Sequence, residues 1–240
     1  MEMSGKKDPV ITIKLSFTNA FLLKCDEGYL LIDTSYLNQY NNFKNNLAQH
    51  GISLDEIKYV LLTHHHDDHA GFLKPLICDT GARLIVHENA LSNLEKGVHY
   101  MDMEYLNTCT KITLTLFTLI KRHTYPEYTV KDDDIVIQGD DENILNEMGI
   151  DGEILYTPGH TSDSISVVMS NGDAYVGDAA MNFLGFCNIK YRPIVYRSLD
   201  RVYDSWRRLI DKGIKEVYSS HGEPFHIDRL VDVLRDTHES

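Results

Sequence analysis

Apolar and polar residues alternate over residues 10–17, and the theme continues over 19–24. Period-two spacing sends successive side chains to opposite faces and predicts strands. Asp26-Glu27-Gly28 supplies turn residues, and the apolar stretch 29–32 predicts the returning strand of a hairpin. Asp33-Thr34-Ser35 ends that strand at a loop. Residues 40–50 follow a helical pattern that stops at Gly51, and Ser53 with Glu56 forms a capping-box pattern that opens a short helix. Residues 59–62 predict a buried strand. A helix over 72–79, interrupted early by Pro75, a strand over 83–86 and a helix starting over 88–95 follow. From there to Lys131 the pattern is irregular and rich in aromatics, and it reads as a helical lid insertion at about 92–131.

A second β-rich half is expected from Ile135, with strands at 135–138, 154–156, 164–169 and 174–176. Asn171-Gly172-Asp173 is a tight-turn signal between the last two. Residues 199–212 predict an amphipathic helix ending at Gly213, 216–219 a last strand and 227–236 a last helix. Both halves run strands first and helix later, which points to an α/β fold of two layered sheets with helices outside. The 240 residues fit one domain, with 42% hydrophobic residues for its core.

Composition narrows the function. The formal net charge is -13, from 36 acidic and 23 basic residues, which argues against binding a phosphate backbone. No stretch has the length and apolarity of a membrane span, and residues 1–10 carry no apolar export signal, so the cytoplasm is the expected location. Cys25, Cys78, Cys109 and Cys187 form no CxxC pair and are expected to be separate reduced thiols.

The chemistry gathers at Thr63-His64-His65-His66-Asp67-Asp68-His69-Ala70-Gly71, directly after the apolar run ending at Leu62. Imidazole nitrogens and carboxylate oxygens are ligands for zinc and neighbouring transition metals. His64 and His66 are one residue apart and can point the same way from an extended backbone. Asp68 and His69 are adjacent and serve a second ion only if the chain turns there, a turn that Gly71 suits. Three later segments repeat one device, a strand followed by a tight turn bearing a ligand type: His160 after Thr157-Pro158-Gly159, Asp178 after Val176-Gly177, and His221 between Ser219-Ser220 and Gly222. Seven ligands from four loops suffice for two divalent ions. Zinc is the first expectation, and iron or manganese also suit nitrogen and oxygen donors without sulfur.

The order HxHxDH, PGHT, GD, SHG resembles the metallo-β-lactamase-fold hydrolase superfamily, over about residues 33–221. The resemblance implies an αββα sandwich of two mixed β-sheets with the site along one edge between them. It implies His64, His66 and His160 as ligands of one ion, Asp68, His69 and His221 as ligands of the other, and Asp178 as the bridge. Asp33 matches a position that supports ligands from behind. His65 and Asp67 are expected to face solvent or to support the ligands. His50, His87, His99, His123, His226 and His238 read as surface or packing residues, and Asp132-Asp133-Asp134 as a solvated turn.

Two cations sharing one hydroxide would make a nucleophile near neutral pH, with Asp68 as the catalytic proton acceptor and donor. The expected activity is a dinuclear-metal-dependent hydrolase attacking a small ester, thioester or lactone with an apolar acyl part. A phosphodiesterase on the same centre and a mononuclear-iron dioxygenase are the alternatives. Only about one helix follows His221, unlike glyoxalase-II-like thioesterases, and Met181 stands where quorum-signal lactonases place a tyrosine. Residues 181–186 and the aromatics of 100–128 are expected to wall an apolar pocket. The expected partner is a small-molecule substrate, with no nucleic acid and no membrane, and the chain is compatible with a homodimer.

Overall fold

A computed structural model describes residues 10–99, 103–118 and 124–238. The first strands are β1 (Ile11–Leu15), β2 (Thr18–Cys25) and β3 (Gly28–Ile32), followed by α1 (Tyr40–Gln49) and β4 (Ile57–Leu61). The helical turn α2 (Asp67–Ala70), α3 (Leu73–Thr80), β5 (Arg83–His87) and α4 (Leu91–Lys96) come next. Then come β6 (Glu104–Tyr105), α5 (Thr108–Thr118), β7 (Ile135–Ile137) and α6 (Ile144–Glu147). The second half holds β8 (Gly152–Tyr156), β9 (Ile165–Met169), β10 (Asp173–Gly177), β11 (Val195–Tyr196), α7 (Leu199–Asp211), β12 (Glu216–Ser219), β13 (Phe225–His226) and α8 (Asp228–His238).

One sheet has the order β1-β2-β3-β4-β5-β7 and the other β13-β12-β10-β9-β8, while β11 and β6 form a separate two-stranded ladder. Both large sheets are mixed: β1, β2 and β3 pair antiparallel and β3, β4, β5 and β7 parallel. In the second, β10 pairs parallel with β12 and antiparallel with β9.

Side-chain alternation builds the layers. Along β2 and β3, Leu22 and Leu31 pack toward α1 and α3 with Phe43, Leu47, Leu73 and Leu76. Their neighbours Phe21, Leu23, Leu30 and Ile32 face the other way and meet Ile154, Ile165, Val167 and Tyr175 of the second sheet. Beyond it, Leu155, Ala174 and Val176 pack on Trp206 and Leu209 of α7 and Leu230 and Leu234 of α8. Strands buried on both faces read as continuous apolar runs, which is why residues 59–62 and 174–176 show no clean alternation. The result is the αββα sandwich.

Three expectations need correction. The strand at 135–138 opens no second half: β7 pairs in parallel with β5 and closes the first sheet's edge. Cys109 and Cys187 are not separate thiols but a disulfide with Cα atoms 5.4 Å apart, joining residues that only the fold brings together. Cys25 is a buried free thiol and Cys78 an exposed one. The run Asp132-Asp133-Asp134 is a turn with its first two residues exposed as expected, but Asp134 is half-buried, and its carboxylate accepts from the backbone N–H groups of Leu84 and Lys131 and from the Tyr128 hydroxyl. Among the described residues of 92–131, α5 and the β6 strand are the regular elements beyond α4; Tyr100 and His123 lie outside the described residues.

Candidate metal centre

Four connections at one edge of the sandwich deliver the polar cluster. The chain leaves β4 through a bend at Thr63 and His64 to reach His66, whose φ and ψ are -62° and 155°, and then coils at once into α2. That coil swings Asp68 and His69 to the site, as their adjacency requires. Gly71 serves this turn by its size and not by its φ, which is -60°: a Cβ there would overlap the carbonyls of Asp67 and Ser35. His160 lies between β8 and β9, Asp178 directly follows β10, and His221 follows β12. Gly177 holds a left-handed φ of 54° and lies against Thr63, so the backbone before Asp178 can approach the histidine segment closely.

The side chains converge in two groups that share one carboxylate. His160 Nε2 lies 3.2 Å from His64 Nε2 and 3.1 Å from His66 Nδ1. Three nitrogens around a tetrahedral zinc at bonds of about 2.05 Å would sit roughly 3.3 Å apart, so this spacing fits one ion. His221 Nε2 lies 3.4 Å from Asp68 Oδ2 and 3.4 Å from Asp178 Oδ1, and His69 Nε2 lies 3.7 Å from Asp68 Oδ1. Asp178 turns Oδ1 toward His69 at 3.4 Å and Oδ2 toward His160 at 3.5 Å, and so spans both groups. His69 Nε2 and Asp178 Oδ1 are buried without a hydrogen bond. Buried polar atoms normally find partners, so these two orphans point at a cation between them. The donor set therefore fits divalent metal.

The far sides of the rings are tied down. His69 Nδ1 bonds Asp33 Oδ2 at 2.8 Å, His160 Nδ1 bonds the Val195 carbonyl at 2.8 Å, and His221 Nδ1 bonds the Phe17 carbonyl at 2.8 Å. His64 Nδ1 lies 3.1 Å from Thr63 Oγ1, whose hydroxyl donates to Asp33. Each contact places the proton on Nδ1 and leaves the Nε2 lone pair for a metal. Asp33 is the hub. Its carboxylate also accepts from the Thr63 backbone N–H at 2.7 Å and from Ser220 Oγ at 3.1 Å. Its φ of 59° lies in the left-handed region, which aspartate tolerates better than most non-glycine residues.

Charge divides the two groups. Burial keeps the His64 and His66 pKa values well below the ordinary histidine value, with neighbouring histidines adding to the effect. Burial also lowers His160, against the pull of Asp178. Burial opposes a charge on His69 too, but Asp178, Asp33 and Asp68 overcome it and raise its pKa. His221 is raised in the same way by Asp178 and Asp68. Burial alone would raise the Asp68 and Asp178 carboxyls, yet the facing histidines hold both below the usual carboxylate range.

His65 and Asp67 do not face solvent. Both are buried, and both support the site. The Asp163 carboxylate accepts from the His65 backbone N–H at 2.9 Å and lies 2.9 Å from its ring Nδ1, while the Tyr125 hydroxyl donates to the His65 carbonyl. Asp67 Oδ1 bonds His99 Nδ1 at 2.8 Å, and the His99 ring stacks on His66 with centroids 3.7 Å apart. Asp163, His99 and Tyr36, whose hydroxyl donates to Asp68 Oδ2 at 3.4 Å, were not legible as site residues. Thr161-Ser162-Asp163 directly after His160 was the signal for Asp163. For Tyr36 it was the proximity to Asp33. His99 had none. His87 is buried and stacks on Tyr156, a packing residue as expected.

A cavity of about 260 Å³ stands over the cluster. Asp68, His66, His160, Asp178 and His221 form its floor, and Phe17, Leu114, Phe117, Phe183, Leu184 and Ile194 its apolar walls. Residues 181–186 supply the expected wall, but among the described aromatics of 100–128 Phe117 alone lines the cavity, with Tyr125 and Tyr128 packed in the core instead, and Phe17 joins from the β1–β2 turn. Its ring meets Phe117 at 5.5 Å and Phe183 at 6.4 Å between centroids.

Residues 13–221 match the family described as the metallo-beta-lactamase superfamily. The chain belongs to that superfamily. Among curated relatives, the beta-lactamase-like protein 2 homolog of Drosophila melanogaster is 25% identical over 214 residues, covering 87% of this chain and 59% of the relative. The lactamase-like protein GME11357 of Pestalotiopsis microspora is 25% identical over 215 residues, covering 88% and 51%. This superfamily member thus spans little more than half the length of either relative. Solved structures share its fold. The family protein TTHA1429 of Thermus thermophilus superposes with a TM-score of 0.66 at 21% identity, covering 96% of this chain and 79% of the other. The archaeal superfamily protein ST1585 of Sulfolobus tokodaii gives 0.64 at 19%, covering 95% and 86%. The subclass B3 metallo-beta-lactamase BJP-1 of Bradyrhizobium japonicum gives 0.63 at 20%, covering 96% and 89%.

Proposed function

We propose that this chain is a dinuclear-metal-dependent hydrolase of a small ester, thioester or lactone. The observation that supports the reading is a pair of donor groups sharing Asp178 on the floor of an apolar pocket. His64, His66 and His160 would hold one ion, Asp68, His69 and His221 the other, and zinc is the first choice for both. Bound divalent cations would supply the Lewis acidity that ionises water near neutral pH and polarises the scissile carbonyl.

The chain's own residues do the rest. Asp68 is the pocket-facing carboxylate with an oxygen toward each of His69 and His221, and these histidines hold it ionised. It takes the proton of the attacking water and returns it to the departing oxygen or sulfur. The Tyr36 hydroxyl fixes the carboxylate's orientation. Phe17, Phe117 and Phe183 exclude water around the acyl part, which strengthens the electrostatics at the floor. The apolar walls favour a carbonyl substrate with an apolar acyl part over a phosphodiester, whose charged oxygens seek donors. The second donor group, His221 included, favours two ions over the single iron of a dioxygenase.

Asp68→Ala tests the assignment. Turnover of a thioester, ester and lactone panel should fall about 100- to 10,000-fold, with an unchanged circular dichroism spectrum. Near-normal turnover in that variant would overturn it. Bis-p-nitrophenyl phosphate is the competing arm, and faster cleavage of it than of any acyl substrate favours the phosphodiesterase.

A further inference from the structure

We propose that the Cys109–Cys187 disulfide sets the acyl selectivity of the pocket by clamping its two apolar walls together, and that a dithiol reductant relaxes it. The substrate arm of this proposal rests on the hydrolase reading above. Cys109 lies in the first turn of α5, which carries Thr113, Leu114 and Phe117 into the cavity. Cys187 ends a helical turn, Gly185–Cys187, a few residues after Met181, Phe183 and Leu184 of the opposite wall. The bond therefore joins wall to wall across 78 residues of sequence.

Little else regular holds these segments together. The β6–β11 ladder has two residue pairs, Val195 with Tyr105 and Tyr196 with Glu104. Ladders that short are marginal alone. Asn107 Nδ2 donates to the Cys187 carbonyl at 2.9 Å and Leu106 N to the Ile194 carbonyl at 3.0 Å. A small apolar cluster of Met181, Cys187, Ile189 and Ile194 fills the seam. The bridged turn is flanked by Leu184 at φ 52° and Asn188 at φ 53°; asparagine tolerates the left-handed region, whereas leucine keeps it only under constraint. Cutting the bond releases that constraint and lets Phe117 and Phe183 separate.

The seam also touches the metal floor, because Val195 both pairs with Tyr105 and orients His160 through its carbonyl. Metal content must therefore be followed alongside selectivity. In the redox step, one thiolate of a dithiol attacks Cys109 Sγ, which belongs to a half-buried residue, and expels the Cys187 thiolate. The reagent's second thiol then displaces Cys109 and closes the reagent into a cyclic disulfide. Two electrons and two protons pass to the protein, which ends with two thiols. In a compartment that keeps thiols reduced the pocket would work in its relaxed form, and in an oxidising one in its clamped form.

Peptide mapping without reductant should first show residues 109 and 187 linked in air-oxidised protein. Metal-loaded protein is then compared as oxidised wild type, dithiol-treated wild type and C109S/C187S, with C78S as a control for the exposed thiol. Across straight-chain acyl thioesters of two to twelve carbons, kcat/KM of the oxidised form should peak at one chain length. Reduction or the double substitution should cut the ratio between the best and the longest chain at least tenfold. Hydrogen exchange should quicken within 103–118 and 182–196, with both metals retained. Calorimetric binding of neutral N-alkylacetamides to the same forms reads selectivity without turnover. If no acyl substrate is cleaved, the hydrolase reading fails while this binding series still decides the clamp. Free thiols at 109 and 187 after air oxidation overturn the proposal. So does a chain-length profile that is unchanged on reduction in both assays. Dithiol-treated wild type keeps the test open should the double variant misfold.

Discussion

Replacing Asp33 by Asn isolates the support behind the metal floor. The buried carboxylate accepts from four donors: Thr63 N–H and Thr63 Oγ1 at 2.7 Å each, His69 Nδ1 at 2.8 Å and Ser220 Oγ at 3.1 Å. Asparagine keeps the volume and tolerates the left-handed backbone, so packing and φ stay as they are. Its single carbonyl can replace Oδ2 and keep three donors, but its amide then faces the Thr63 N–H. One buried donor left unmade costs about 1–3 kcal/mol. The three surviving bonds lose their ionic acceptor, and such bonds are roughly half as strong when neutral. Together these give a destabilisation of about 2–4 kcal/mol. His69 Nδ1 keeps an acceptor but exchanges a carboxylate for a neutral carbonyl that polarises its ring less, which should weaken the ion at Asp68, His69 and His221 by about 10- to 100-fold. The His64–His66–His160 group makes no direct contact with Asp33 in this network and should hold its ion. Chemical denaturation of the metal-free proteins reads the first effect, and chelator competition followed by metal analysis the second. A stability within about 0.5 kcal/mol of wild type, where ordinary surface changes fall, together with one shared chelator curve, would refute the hub role of Asp33.

Two further outcomes follow from the same geometry. Lowered pKa values keep His64, His66 and His160 unprotonated as pH falls, whereas raised values let protons compete for His69 and His221; dialysis from pH 8 toward pH 5 should therefore strip the Asp68–His69–His221 ion first, and simultaneous loss of both ions would contradict the division. Asp163→Ala leaves the His65 N–H and ring Nδ1 without their acceptor, so it should cost about 2–5 kcal/mol in denaturant titrations. Burial opposes the Asp163 charge but His65 holds its pKa below the ordinary range, so the wild-type contribution is full above that range and fades as pH falls through the lowered value, making the two stability curves converge in acid.

What could be read from the chain was whatever its local sequence encloses. His64, His66, Asp68 and His69 sit in one hexapeptide, and His160, Asp178 and His221 each follow a strand and a turn residue, so all seven were visible. The longer strands were visible because apolar runs bounded by turn residues have few other readings, whereas the two-residue strands β6, β11 and β13 carry no such run and were not. Residues whose meaning depends on distant partners were hidden. His99 reads as any surface histidine until the fold stacks it on His66, and Asp163 reads as a loop acid until it meets His65 across 98 residues. Cys109 and Cys187 are 78 apart, and no spacing rule pairs them. The strand β7 went to the wrong sheet because a sequence marks a strand's period but not its neighbour; its partner β5 lies across the whole insertion.

The central claim is that widely separated loops cage two cations. Crystals of protein prepared with excess zinc, measured on both sides of the zinc absorption edge, test it most directly. The account predicts two anomalous peaks, one within bonding distance of His64, His66 and His160, the other of Asp68, His69 and His221, with Asp178 between them. No peak within reach of those side chains, at full occupancy of zinc in solution, would contradict it.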